Sequence, residues 1–120
     1  MPNYTDGFVL PVQKKKLKAY LAMARKAAKI WREYGALDYK ECVGDDLKAP
    51  FSRSFPKGIR SQPGETVVFS WIVYKSKVHR DRVNAKIMQD PRFVAMCDPQ
   101  DMPFDCKRML YGGFKVAVSI

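Results

Sequence analysis

The sequence predicts one α+β domain with the ferredoxin-like order β-α-β-β-α-β. The chain has 120 residues, which is enough for a single domain over 1–120 and too few for two. A long amphipathic helix pattern lies between two strand patterns, and a second helix pattern lies between a strand that is apolar on both faces and a last strand. This order gives a four-stranded antiparallel sheet with two helices on one face.

The first strand and first helix occupy the N-terminal third of the chain. We predict a strand over residues 4–10, with Phe8 and Leu10 on one face, and expect Pro11 to end it because proline cannot donate to a sheet ladder. The helix begins near residue 17 and stops before Gly35, which suits a left-handed cap. The residues of its apolar stripe are Leu17, Tyr20, Leu21, Ala24, Ala28 and Trp31.

The second and third strands are separated by a long loop. Alternation over residues 37–43 predicts a strand with Glu41 on its more apolar face. Residues 44–64 contain three prolines and indicate a loop. Residues 65–74 are apolar on both faces and rich in β-branched and aromatic side chains, so we predict a central strand.

The second helix is predicted to begin after Ser76, a suitable N-cap, and to continue to about residue 89. Asp90 and Pro91 interrupt it, and residues 91–97 can form a short further helical piece. The side chains expected on its buried side are Val83, Ile87 and Met88.

The last strand is predicted over residues 108–118, where Gly112 and Gly113 suggest a bulge or a close approach of another backbone or a ligand. Two helices cover only one face of a four-stranded sheet. Because the third strand is apolar on both faces, the other face needs a partner, and a homodimer packed sheet to sheet is the natural solution.

Several segments together resemble a known family across essentially the whole chain. The sequence is similar to the YbaA-like family of uncharacterised bacterial proteins. The resemblance implies a dimeric α/β-barrel fold and no established activity. The matching segments are DGFVLPV from Asp6, WREYGAL from Trp31, ECVGDD from Glu41, TVVFSWIVY from Thr66, RD from Arg80, VNAK from Val83, DPR from Asp90, DMPFD from Asp101, KRM from Lys107 and YGGF from Tyr111.

A few polar residues on apolar faces form the predicted site, a pocket between sheet and helices for a small organic ligand. Arg80 and Asn84 lie one turn apart on the second helix and could bind a carboxylate or phosphate. Glu41 is either a general base or the partner of Arg80, and Asp6 is a second such carboxylate. A purely structural pair of Arg80 with Glu41 or Asp6 is the alternative. Trp71 could line the pocket, although sheet aromatics are more often core.

Glu41 and Arg80 are the best catalytic candidates if the protein is an enzyme. No cofactor fingerprint is present, so we expect none, and cofactor-free oxidative or proton-transfer chemistry is suggested only by analogy of fold. The lone histidine, His79, is expected at the surface. We expect no metal site, because Asp98, Asp101 and Asp105 lack the spacing of a calcium loop and fit turns instead.

The net charge of +10 offers a second functional hypothesis. Residues 14–34 carry seven of these ten charges, which concentrates them on the first helix. Such a stripe fits an RNA backbone, or is simply a solvated helix face. The candidate nucleic-acid contacts are Lys18, Arg25, Lys29 and Arg32. A structural dimer without ligand is the third hypothesis.

The cysteines and the hydropathy pattern suggest where the protein works. Cys42, Cys97 and Cys106 are odd in number and fit neither a CxxC pair nor a disulfide framework, so we expect reduced thiols in the cytoplasm. No apolar run reaches the roughly 18 residues needed to cross a bilayer, so a membrane partner is not expected.

Overall fold

A four-stranded antiparallel sheet and a layer of helices form the protein in this computed structural model, which describes residues 3–120. The α+β class and the order β-α-β-β-α-β are confirmed, with short helices added between the main elements. A 3-10 helix at Lys14–Lys16 leads into the first long helix, and another at Cys106–Arg108 precedes the last strand. The main elements are β1 (Tyr4–Gln13), α1 (Leu17–Glu33), β2 (Asp38–Val43), α2 (Phe55–Gly58), β3 (Glu65–Tyr74), α3 (Lys77–Met88), α4 (Pro91–Met96) and β4 (Leu110–Lys115).

The strand order is β2-β3-β1-β4, so β3 and β1 are central and β2 and β4 form the edges. The central position and the bounds of β3 agree with the pattern of the sequence. Asp6 of β1 lies opposite Ile72 of β3 and Gly113 of β4, which places the three residues in one row across the sheet. This row sits beneath α3 and becomes part of the site.

Pro11 does not end β1, contrary to the expectation from the sequence. The strand continues to Gln13, and Pro11 pairs with Val67 of β3. The ladder with β4 stops at the pair Val9–Leu110, so beyond Val9 the outer side of β1 is a sheet edge. A missing N–H on that side breaks no ladder bond, and proline is tolerated there.

The core fills the space between the sheet and the helices. One cluster joins Trp31 of α1 to Ile72 and Tyr74 of β3 and to α3, and a second joins Tyr20 of α1 to Leu10 of β1. Full burial of each large apolar side chain contributes about 1.5–3 kcal/mol. Met88 was expected on the buried side of α3, but it lies in the last turn and is 57% exposed.

Side-chain caps and a glycine define where the helices begin and end. The Ser76 hydroxyl accepts a bond from the His79 amide at 3.1 Å and caps α3. The Asp90 carboxylate caps α4 in the same way, at 2.8 Å from the Arg92 amide. Gly35 follows α1 with φ of 108°, the left-handed conformation expected of it.

The last strand is shorter than predicted, and its glycines have a different role. β4 covers Leu110–Lys115, and its register with β1 is continuous from Tyr4–Lys115 to Val9–Leu110, so there is no bulge. A Cβ atom on Gly113 would lie 2.8 Å from Cε2 of Tyr4. The glycine therefore makes room for the Tyr4 ring of the neighbouring strand.

The loop 44–64 also differs from a plain loop because it contains α2. Ser54 caps this single turn, and Phe55 packs edge-on against Phe69 with ring centroids 6.1 Å apart. The segment thus covers one end of the sheet face opposite α1 and α3. The rest of that face keeps exposed apolar side chains, including Phe69, Leu110 and Phe114.

Candidate functional site

A cavity of about 420 Å³ lies between the sheet and the helices. Phe8 and Ile72 belong to its sheet wall, and Tyr20, Ala24 and Trp31 of α1 form the wall opposite. The segment after α4 closes one side with apolar and aromatic side chains, among them Met102, Phe104 and Met109. Ligand cavities in proteins typically measure about 300–1,000 Å³ and are lined mainly by apolar groups, as this one is.

Glu41 is the first of two carboxyl groups in the cavity wall. Its Oε1 accepts a hydrogen bond from Tyr20 Oη at 2.7 Å, and its Oε2 accepts one from Tyr39 Oη at 2.9 Å. Burial raises the pKa of Glu41, against the opposing effect of the hydrogen bonds from Tyr20, Tyr39 and Ser70. A carboxyl with a raised pKa can exchange a proton closer to neutral pH than an ordinary one.

The two tyrosines beside Glu41 are neutral donors. Burial, followed by the nearby Glu41 charge, raises the pKa of both Tyr20 and Tyr39. Their hydroxyls therefore keep their protons at neutral pH and hold the carboxyl group in one orientation. Tyr20 reaches Glu41 from α1, and Tyr39 stands two residues before it on the same face of β2.

Asp6 is the second carboxyl group, and its charge is compensated. It is 1% exposed, and its Oδ1 accepts a bond from Arg80 Nη1 at 2.6 Å. Tyr111 Oη donates to the same oxygen at 3.2 Å, and Arg80 also donates to Tyr111 at 2.8 Å. The Arg80 guanidinium lies over the Tyr4 ring at 4.9 Å. This ion pair ties α3 to β1 and satisfies a buried charge.

A row of neutral polar groups continues from Asp6 towards α1. Asn84 Nδ2 lies 3.5 Å from Asp6 Oδ2, and Asn84 Oδ1 accepts bonds from Tyr74 Oη at 3.1 Å and from Trp31 Nε1 at 3.3 Å. Trp31 Nε1 also donates to Tyr74 Oη at 3.0 Å. Burial raises the pKa of Tyr74, so its hydroxyl stays protonated. The row fixes the side chain of Asn84 at the cavity wall.

The structure brings three of the five residues predicted to bind a ligand into one cavity. Asp6, Glu41 and Asn84 line it. Arg80 stands behind Asp6 and is engaged by Asp6, Asp81 and Tyr111, so it does not form part of the cavity wall. Trp71 lies on the opposite face of the sheet, where its Nε1 donates to Asp38 at 3.3 Å and its ring borders an open groove.

Several residues of the site were not identified from the sequence. From the sequence, Tyr20 was placed on the apolar stripe of the first helix, but neither its hydrogen bond to Glu41 nor that of Tyr39 was predicted. Tyr39 carries a signal that could have found it, because it stands at position i−2 from Glu41 on one strand face. Phe104 also closes the cavity, with its ring 5.5 Å from that of Tyr20, and nothing in its loop pattern indicates this.

The histidine and the loop aspartates considered as candidate site residues make local hydrogen bonds instead. His79 is partly exposed, and its Nδ1 accepts a bond from the Lys75 amide at 3.0 Å. Asp98 and Asp105 accept bonds from the amides of Gln100 and Lys107, as turn residues do. Among residues 3–120, no group of three His, Cys, Asp or Glu side chains is arranged to hold a metal ion.

The cysteines and the basic helix face are all exposed. Cys42, Cys97 and Cys106 are free thiols. None of the six ion pairs formed among residues 3–120 involves the basic side chains Lys18, Arg25, Lys29 and Arg32 on α1. In the same described part of the chain, no helix has the length and apolar character needed to span a membrane.

A family model described as "Protein of unknown function (DUF1428)" matches residues 3–106. The chain belongs to this family. It is 46% identical over 113 residues to the uncharacterised protein YbaA of Escherichia coli strain K12, covering 94% of this chain and 95% of the relative. The YbaA protein of Shigella flexneri matches with the same identity and coverage. The resemblance to the YbaA-like family is thereby confirmed.

Solved structures with similar folds come from more distant proteins. A dimeric ferredoxin-like protein from an uncultured marine organism covers 100% of both chains with a TM-score of 0.61 and 11% identity. SnoaB, a cofactor-independent oxygenase from Streptomyces nogalater, covers 100% of this chain and 98% of its own, with a TM-score of 0.65 and 11% identity. The match to a NIPSNAP family protein from Agrobacterium tumefaciens covers 97% of this chain and 87% of that protein, with a TM-score of 0.61 and 13% identity. These likenesses show the ferredoxin-like fold.

Proposed function

We propose that this protein binds a small, mainly apolar molecule in the cavity between sheet and helices, with Glu41 contacting the polar part of that molecule. The observation that supports this most directly is the cavity itself, about 420 Å³ that the protein's own side chains leave unfilled. A structural dimer without ligand has no need of such a space, because cores normally pack to crystal-like density. The partly buried carboxyl group of Glu41 in its wall gives the ligand a polar contact.

Glu41 is also the group that would carry an acid–base step if the ligand is a substrate. Its pKa is raised by burial, and both oxygens are held by tyrosine hydroxyls. These features suit a general base. The cofactor-independent oxygenase among the structural neighbours indicates that the fold is compatible with chemistry that needs no cofactor.

The homodimer belongs to the same proposal. Phe69, Leu110 and Phe114 are 42–61% exposed on the sheet face that α1 and α3 do not cover. A contiguous apolar groove of this kind is costly in water and marks an interface. A second copy placing its own groove there would bury both, and one structural neighbour is described as dimeric. The three free thiols fit the reducing cytoplasm.

A variant that fills the cavity tests the binding proposal. Ala24 lies on α1 in the cavity wall, whereas Ala22 on the same helix is exposed. We expect the neutral dye 6-propionyl-2-dimethylaminonaphthalene to bind the wild-type protein with a blue-shifted emission. Ala24→Leu should weaken that binding about tenfold or more by occupying the space, and Ala22→Leu should not change it. Equal binding by all three proteins, or none by any, would favour the ligand-free dimer.

RNA binding is the second candidate function. The observation in its favour is that the exposed cations of α1 enter none of the ion pairs found among residues 3–120. Unpaired cations on one helix face are free to meet phosphates and release their counterions. Aromatic side chains for base stacking are not interleaved with this stripe, because Tyr20 and Trp31 are buried.

A further inference from the structure

The part of the cavity wall formed by residues 3–120 contains carboxyl groups and no cationic side chain. Among the residues that line it, Asp6 and Glu41 are the acids, and none is a lysine, arginine or histidine. Arg80, expected from the sequence to hold a carboxylate or phosphate, is already engaged by Asp6, Asp81 and Tyr111. An anionic ligand would therefore meet repulsion in this cavity and find no free cation.

The two carboxyl groups differ in one decisive way. Asp6 has its counter-ion in Arg80 at 2.6 Å. Glu41 has none among residues 3–120: the groups that reach its oxygens are the neutral hydroxyls of Tyr20, Tyr39 and Ser70. A buried carboxylate is normally paired with a cation, because its desolvation is otherwise not offset. Glu41 is partly buried, no ion pair among residues 3–120 includes it, and the space beside it is the cavity.

The walls around Glu41 are also suited to a cation. Trp31 and Tyr39 stand with ring centroids 6.1 Å apart at 54°, and Tyr20 and Phe104 stand 5.5 Å apart edge to face. All four rings line the same cavity. The faces of aromatic rings carry partial negative charge and attract ammonium groups, most strongly where water is excluded.

We propose that the ligand of this site is a lipophilic amine, an apolar skeleton that carries one protonated nitrogen in contact with Glu41. The inference rests on the proposed binding function and specifies its ligand class. The nitrogen would supply the counter-ion that Glu41 lacks, and the apolar skeleton would occupy the space between α1 and the sheet. Tyr20 and Tyr39 already hold the carboxyl group in place, so the contact needs no rearrangement of that group.

The net charge of the protein distinguishes a specific preference for an amine from non-specific association. The net charge is +10, so the surface as a whole attracts anions and repels cations. Non-specific association would therefore favour a carboxylate over an amine of the same skeleton. A preference for the amine must come from a local negative site such as Glu41.

Three probes with one skeleton test the proposal: 4-phenylbutylamine, 4-phenylbutanol and 4-phenylbutyrate, titrated by calorimetry at pH 7.5. We expect the amine to bind wild-type protein at least about tenfold more tightly than the alcohol, as an ionic hydrogen bond would give, and the carboxylate to bind most weakly. Glu41→Gln keeps the size of the side chain and removes its charge. It should abolish the preference for the amine, so that the amine and the alcohol bind the variant with affinities within about twofold of each other.

A surface variant controls for the change in net charge. Asp46 is exposed, and Asp46→Asn alters the overall charge by the same amount as Glu41→Gln. It should leave all three affinities unchanged. If the amine and the alcohol bind the wild-type protein equally, the amine proposal is wrong while small-molecule binding stands. If none of the three probes binds and the neutral dye does not bind either, both the amine proposal and the proposed function are wrong.

Discussion

Tyr20 on α1 donates a 2.7 Å hydrogen bond to Oε1 of Glu41 on β2 and so joins helix to sheet across the wall of the cavity. Tyr39 fixes the second oxygen at 2.9 Å. None of the six ion pairs among residues 3–120 includes this carboxyl group, so neutral donors alone orient a partly buried charge. Such an arrangement lowers stability locally and is typical of functional sites, where strain or unpaired charge is retained for binding or catalysis.

Glu41→Gln should stabilise the folded protein at neutral and alkaline pH. Burial holds the pKa of Glu41 above its ordinary value of 4.5, so the folded state favours the protonated form. The destabilisation caused by ionised Glu41 is therefore absent below the pKa that this residue has in the unfolded state. It grows as the pH rises through the higher pKa of the folded state. Glutamine is neutral throughout and avoids it, while its Oε1 can still accept a hydrogen bond from a tyrosine hydroxyl.

Urea unfolding of both proteins between pH 4 and pH 8 measures this difference. The raised pKa values of Tyr20 and Tyr39 keep these neighbours protonated over the whole range, so the difference between the curves reports Glu41. We expect the two free energies of unfolding to converge near pH 4 and the variant to be the more stable at pH 8. A variant that is less stable at pH 8 would contradict an uncompensated Glu41.

Arg80→Met should destabilise the protein by about 3 kcal/mol, because it leaves the Asp6 carboxylate buried without its counter-ion. Asp6 is 1% exposed, and the Arg80 side chain is 14% exposed. Arg82 lies on the same helix and is exposed, so Arg82→Met is the matched control and should change stability by less than about 0.5 kcal/mol. Adding Asp6→Asn to Arg80→Met should restore part of the loss in chemical denaturation. Equal losses for the two arginine variants would show that the pair is not structural.

The fold followed from the sequence because its elements have strong periodic patterns. The bounds of β3 were predicted to the residue, since β-branched and aromatic side chains fill both faces from Glu65 to Tyr74. Alternation also placed Glu41 on the apolar side of β2, as the structure shows. These are local properties, and local patterns report them well.

The partners across the site could not be predicted in the same way. The sequence left open whether Arg80 pairs with Asp6 or Glu41, because the choice depends on the strand order that brings β1 beneath α3. Trp71 was assigned to the site although it lies on the other face. A strand that is apolar on both faces carries no signal of which face the helices cover. Tertiary packing, which the pattern does not encode, decides both questions.

Gly113→Ala should cost about 1–3 kcal/mol through overpacking against Tyr4. A Cβ at position 113 would lie 2.8 Å from Cε2 of the Tyr4 ring, which is itself fixed between β4 and Arg80. Gly112→Ala is the control, because the nearest atoms to its Cβ belong to the Phe114 ring at 3.4 Å, an ordinary contact. Thermal unfolding of the two variants should separate them clearly. Similar melting temperatures would mean that the Tyr4 ring moves aside freely.

If the basic face of α1 binds RNA, the affinity should fall steeply with salt. Fluorescence anisotropy with a labelled single-stranded RNA of 20 nucleotides between 50 and 200 mM salt measures the slope, and each phosphate contact on a single strand contributes roughly −0.7 to it. Replacing Lys18, Arg25 and Lys29 together by glutamate should abolish binding, since all three are exposed on α1. RNA affinity that does not depend on salt, or that is unchanged in the triple glutamate variant, would show that this function is wrong.

Phe69→Glu should convert the proposed dimer into a monomer while leaving the ligand cavity intact. Phe69 lies on central strand β3, is 42% exposed and borders the open apolar groove. A glutamate there would be desolvated between two sheets without a counter-ion, which dimerisation cannot offset. Val78 on α3 is 58% exposed, so Val78→Glu introduces the same charge away from the groove. Sedimentation velocity should show a monomer for Phe69→Glu and a dimer for Val78→Glu and the wild type. The neutral dye should still bind the monomeric variant, because its cavity is built from one chain; a wild-type protein that sediments as a monomer would refute the dimer itself.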